Sequence, residues 1–164
     1  MVAFSGSRQA VPSSPGWVAA SRVAGAVPAS RVAVGCARGI DAAVRQAAPG
    51  CQVFQAAGSQ AWQLAARSSA LVRGAVGGGL VAFPSGFCPA AVQVSSRFSG
   101  AGSGTWGSVA FAIGQGLPVV LFAPVAPGSV QAWLGPLAGR FQVLHATPSA
   151  VWLVSSPAGQ PSLF

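Results

Sequence analysis

A three-layer α/β/α sandwich on a mostly parallel sheet is the fold class that this 164-residue sequence predicts. Short apolar runs recur along it without the in–out alternation of a half-solvated strand, as strands covered on both faces require. Alanine- and leucine-rich stretches of helical length separate those runs. Gly and Pro, 22 and 13 residues, punctuate the junctions between them. With 52 % hydrophobic and 6 % charged residues, the chain carries far more apolar mass than a disordered one. No Gly-X-Y period is present, so a collagen-like rod is excluded.

The first run, Val2 to Ser5, reads as a buried strand that ends in the turn Gly6-Ser7-Arg8. After Pro12 and Pro15, Trp17 to Ala26 reads as a short helix stopped by Pro28, because a residue before proline is pushed out of the helical region. Val32 to Val34 gives a second strand and Ile40 to Ala48 a helix closed by Pro49-Gly50. The unit recurs with a strand at Cys51 to Phe54 and a helix at Gln60 to Val76, broken by Gly77-Gly78-Gly79. Leu80 to Phe83 is the fourth strand. The loop Ser85 to Ser103 that follows is long enough to be either functional or host to a small element. Thr105 to Gln115 reads as a helix, and Pro118 to Phe122 as a strand with proline at its tolerated first position. Beyond Pro124 the expected elements are a helix at Val130 to Leu137 and added strands at Phe141 to Leu144 and Val151 to Val154. No linker divides the chain, so residues 1–164 are expected to form one domain.

Nine basic residues, all arginine, face one acidic residue, for a net charge of +8. Such a surface draws anions, and the guanidinium fork suits phosphate. The arginines are dispersed and form no basic arm. Cys36, Cys51 and Cys88 are odd in number and widely spaced, which supports neither a disulfide framework nor a zinc site and makes a reducing cytoplasm the expected location. With His145 the only histidine and Asp41 the only acid, one chain cannot assemble a histidine-rich metal centre or a carboxylate pair. Neither a metal nor a cofactor is expected. The uncharged stretch Phe98 to Gly139 is interrupted at Gly114, Gly116, Pro118 and Pro124, against a membrane span.

In an open parallel sheet a ligand lies outside the carboxyl ends of the strands. Three glycine loops fall there: Gly6-Ser7-Arg8, Gly35 to Gly39, and Ser99 to Trp106. Glycine lets backbone amides approach an anion, and each following helix start offers unpaired N–H groups. The third loop adds the hydroxyls of Ser103 and Thr105 between Gly102 and Gly104. It is not a P-loop, since the chain lacks lysine, and the second loop lacks the spacing of a dinucleotide fingerprint.

Gly6-Ser7-Arg8, Ala37-Arg38-Gly39-Ile40-Asp41-Ala42-Ala43, Arg67-Ser68, Gly102-Ser103-Gly104-Thr105 and Gly116-Leu117-Pro118-Val119 occur in that order. Taken together they resemble the superfamily that joins DNA-processing protein A to the lysine-decarboxylase-like phosphoribohydrolases, and the segment at residues 37–43 is closest to DNA-processing protein A. The resemblance covers residues 2 to about 123. It implies a Rossmann-like fold that holds a nucleotide or nucleotide-like phosphate at the strand ends. With the reading of the loops, it makes Gly6, Ser7, Arg8, Gly35, Arg38, Gly39, Asp41, Arg67, Ser68, Gly102, Ser103, Gly104, Thr105 and Trp106 the expected ligand contacts. The hydrolases of that superfamily carry a glutamate three positions after their Gly-Thr pair; here that position is Ser108, a poor proton-transfer group.

Binding or sensing of a phosphate-bearing nucleotide without catalysis is therefore the function expected first. Single-stranded DNA binding and phosphoribohydrolase activity on nucleoside monophosphates stand as the alternatives. Arg8 is expected to pair with phosphate. Asp41 is expected in the first turn of its helix, where a carboxylate offsets orphan N–H groups, or on a ribose or base. Trp106 is expected to stack on a base or to wedge between helix and sheet. Cys88 and His145 carry no expected chemistry, and a homodimer is expected to cover apolar surface.

Overall fold

Seven strands form one sheet in the order β3-β2-β1-β4-β5-β7-β6, and helices cover both of its faces. The computed structural model describes residues 1–100 and 102–155. Strands β1 (Val2–Gly6), β2 (Val32–Gly35), β3 (Gln52–Phe54), β4 (Gly79–Phe83) and β5 (Val119–Ala123) run parallel. Strands β6 (Phe141–Ala146) and β7 (Val151–Ser155) add an antiparallel hairpin beyond β5. The three-layer, mostly parallel architecture expected from the sequence is the one observed, and it is consistent with a Rossmann-like fold.

Alternation along each strand assigns its side chains to two cores. On one face Phe4, Val34, Phe83 and Phe122 pack with Ala20 and Ala24 of α1 (Pro15–Gly25) and with Ile40, Ala43 and Val44 of α2 (Ile40–Ala47). On the other, Ala3, Ala33, Leu80, Ala82 and Leu121 meet α3 (Ala61–Gly74), α4 (Gly104–Gly114) and α5 (Val130–Leu134). Small residues on the second face let α4 sit close to the sheet, and its residues Thr105 to Ile113 are all buried. A helix apolar on every side belongs in such a central position.

Most boundaries fall within two residues of the sequence reading. The exception is the stretch read as one helix from Val130 to Leu137. Here α5 stops at Leu134, because Gly135 takes φ +51° and Pro136 follows, and the chain continues as a 3-10 turn, Gly135–Arg140. The loop Ser85 to Ser103 contains no helix or strand among its described residues. It is pinned by the Cys88 amide donating to the Trp133 carbonyl (2.9 Å), by Gln115 Nε2 donating to the Ser96 carbonyl (3.0 Å), and by Phe98 edge-on to Phe111. No helix among the described residues is long and apolar enough to cross a membrane.

Candidate functional site

The carboxyl ends of β1, β2 and β4 bring their loops to one rim. The Ser7 amide donates to the Phe83 carbonyl, and the Ile40 amide donates to the Ser7 carbonyl, each at 3.1 Å. The Ser85 hydroxyl donates to Ser7 Oγ at 3.0 Å, so the loops after β1 and β4 are joined by side chains as well. Between these loops, α3 and the start of α4 lies a cavity of about 640 Å3. Its lining includes Gly6, Ser7, Arg8, Asp41, Arg67, Ser68, Gly102, Ser103, Gly104, Thr105 and Trp106, all anticipated from the sequence. A second cleft of about 740 Å3 adjoins it, shares Arg8, Ala37, Leu64 and Arg67, and is lined by Cys36, Arg38, Gly58 and Ser59. Both volumes fall in the range of ligand sites for small molecules, roughly 300–1,000 Å3.

The glycines divide into two kinds. A Cβ on Gly6 would overlap the Ile40 side chain, one on Gly35 would overlap Asp41 and Arg67, and one on Gly39 would strike the Ser7 and Arg8 backbone. Gly6 and Gly39 let the first two loops pack against each other, and Gly35 makes room for the Asp41–Arg67 pair. Gly35 and Gly39 do not line either cleft. Around Gly100, Gly102 and Gly104, by contrast, a Cβ would meet nothing within 4 Å. All three line the cavity, and Gly102 takes φ +84°. The third loop is thus the one whose backbone lies open to a ligand; its Ala101 falls outside the described residues.

At the start of α4, Ser103 serves as N-cap, its Oγ accepting from the Trp106 amide at 3.4 Å, while its carbonyl accepts from Gly107 at 2.8 Å. Its Oγ thus caps the helix, whereas Thr105, which also lines the cavity, makes no side-chain bond to any described residue. Trp106 is 2 % exposed; its indole packs edge-on to Trp133 with centroids 4.9 Å apart, and Nε1 donates to the Gly86 carbonyl at 3.0 Å. The indole is thus packed between Trp133 of α5 and the loop at Gly86. The aromatic ring at the rim is instead Phe87, 64 % exposed and lining the cavity.

Asp41 sits in the first turn of α2, 4 % exposed. Its Oδ2 accepts from the Ala37 amide at 3.1 Å and from Arg67 Nη1 at 3.2 Å. Burial pushes the carboxyl above its ordinary value, against the pull of the Arg67 guanidinium, the Ala37 amide, Arg45 and Arg8. Arg67 reaches Cys36 Sγ at 3.9 Å and Ser68 Oγ at 3.5 Å, and its buried Nε has no partner among the described residues. Arg45, one helical turn after Asp41, donates to the carbonyls of Gly35 (2.7 Å) and Ala37 (2.9 Å) and braces the second loop from below. Arg8 and Arg38 stand exposed at the mouths of the two clefts.

Ser108 lies 1 % exposed inside α4, its hydroxyl donating to the Gly104 carbonyl at 3.0 Å, and it does not line the cavity. Cys88 is buried and its thiol is pushed up to about 11 by loss of solvent. His145 is exposed on β6, far along the sheet from β1.

Sequence reasoning did not single out Ser85, Phe87 or Arg45. The first two directly follow the fourth strand, at the edge where ligands bind, and that position was the available signal. Arg45 was marked by its i+4 spacing from the only acid. Compared with protein-family models, with curated proteins and with solved structures, the chain shows no match.

Proposed function

We propose that this protein binds a nucleotide or nucleotide-derived ligand through its phosphate, without transforming it. The observation that carries the reading is the convergence of the loops after β1 and β4, the α4 start, Arg8 and Arg67 on one cavity. A helix N-terminus with glycines whose Cβ positions are open supports phosphate there, because amide dipoles and close approach act together. Arg8 supplies an exposed cation at the mouth, and Phe87 an apolar ring for a base. The resemblance to the DNA-processing protein A superfamily, carried by the ordered motifs, points the same way.

Hydrolysis is the weaker reading, since the position of the superfamily glutamate is a serine engaged within its own helix. Single-stranded DNA binding draws support from the second cleft, which continues the first past the exposed Arg8 and Arg38. Equilibrium titration of the purified protein with nucleoside mono- and diphosphates separates these readings. Saturable binding weakened at least about tenfold by Arg8→Ala supports the nucleotide site. Absence of binding at millimolar nucleotide overturns it. Affinity for oligodeoxynucleotides that falls steeply with salt would favour the DNA reading instead.

A further inference from the structure

The sheet ends on its longest strand. β6 has six residues, pairs with β7 on one side and has no partner on the other among the described residues. The helix layers stop short of it, since alternate residues of β7 are buried whereas Gln142 to Ala146 are all exposed. Edge strands are ordinarily blunted by brevity, charge, proline or a bulge. At the opposite edge β3 is only three residues long. β6 contains no charge and no proline, and has only a bulge: Val143 faces Leu153 and His145 faces Trp152, so Leu144 is the extra residue. Val143 and Leu144 are left 61 % and 62 % exposed there.

Charge decides what can cover this edge, and in which sense. A chain at net +8 repels its own copies, but residues 141–155 contain no Lys, Arg, Asp or Glu, so here two copies meet without like charges. An acidic strand would find no cation along β6 to meet it; the nearest is Arg140, at its start. We infer that two copies of this chain pair β6 to β6, antiparallel about a two-fold axis between Val143 and Leu144, and so continue one sheet through both. That axis sets bulge against bulge, Val143 beside Leu144 of the second copy, and Gln142 opposite its His145, where amide and imidazole can share a hydrogen bond. It also keeps the two Arg140 residues at opposite ends of the joint, about 20 Å apart at the rise of a strand and well beyond a Debye length of about 8 Å. Parallel pairing would set Arg140 beside its copy. Pairing to β3 would use half the ladder and leave the row of copies open. Because the axis reverses strand direction, the two cavities lie at opposite ends of the joined sheet, each complete in its own chain, and the inference is independent of the ligand reading.

The test is amide hydrogen exchange of the intact chain, read by mass spectrometry at micromolar and near-millimolar concentration, beside sedimentation of the same samples. Exchange at residues 141–146 should slow by about tenfold or more as dimer forms, while peptides covering β3 stay unchanged. Leu144→Lys should abolish that concentration dependence while β1 and β4 keep their protection. The wild-type dilution series stands by itself if the variant does not fold. Arg140→Gln should change the dimer dissociation constant by less than about threefold. A tightening of about tenfold or more would put the two arginines side by side and overturn the antiparallel sense. Protection gained at β3 instead, or a dimer whose β6 exchanges as fast as the monomer's, overturns the interface. Monomer at every concentration overturns the proposal outright, and slow exchange at β6 in that monomer would assign the cover of the edge to residues of the same chain.

Discussion

Asp41 shows how one buried residue sets a pH dependence for the whole chain. Its carboxyl pKa lies above the usual 3.8 because burial outweighs the cations and amide around it. The native state then holds the Asp41 proton more tightly than the unfolded chain does. The stability this group contributes is full below 3.8 and is lost as pH climbs through the raised native value. Because the chain has no other Asp or Glu, this slope stands almost alone in the acid range. Melting temperatures followed from pH 3.5 to 7 should fall for the wild type relative to Asp41→Asn as pH rises; parallel curves would contradict the account. The thiols offer a second residue-scale check. Cys88, buried with its pKa pushed up to about 11, should react more slowly with a thiol reagent at pH 8 than Cys36, which lines the second cleft. Equal labelling rates for the two would be inconsistent with this placement.

At the scale of the element, the glycine loops that look alike in sequence do different work. Gly39→Ala places a methyl against the Ser7 carbonyl at φ +74°, and a loss of about 2 kcal/mol or more in unfolding free energy is expected. Gly102→Ala meets open space, so only the cost of φ +84° remains, about 1 kcal/mol, and the larger effect should fall on ligand affinity. Chemical denaturation beside ligand titration separates the two; equal stability losses would refute the division. This distinction was not legible in the sequence, since composition reports that a glycine is present and not what stands over it. The strands and helices were legible, because apolar runs and breakers such as Pro28, Pro49 and Pro118 mark them locally. The end of α5 was marked by Gly135-Pro136 and was overrun by the sequence reading, whereas the partners that fix Trp106, Trp133 and the Gly86 carbonyl, were not legible because they lie far from it in the chain.

Over the whole molecule, the nine arginines are not one patch. Arg45 is spent on loop carbonyls, Arg67 on Asp41 and Arg73 on the face of Phe111, while Arg8 and Arg38 stand at the clefts. At the far edge of the sheet, β6 pairs with β7 alone among the described residues, and Val143 and Leu144 are 61 % and 62 % exposed. An apolar edge strand invites pairing, and the self-association expected from the composition would use it. Sedimentation at several concentrations should show a dimer that Val143→Lys dissociates, and monomer alone at every concentration would contradict this. The arrangement of loops at the other end of the parallel strands is the central claim. A 16.1 kDa chain is small enough for its backbone amides to be followed by NMR during titration with a nucleoside monophosphate. Amides of Ser7 and Arg8, of Ser85 and Gly86, and of Gly102 to Thr105 should shift together along one saturation curve. Shifts confined to one loop, scattered over the surface or absent at millimolar ligand would contradict convergence on a single anion.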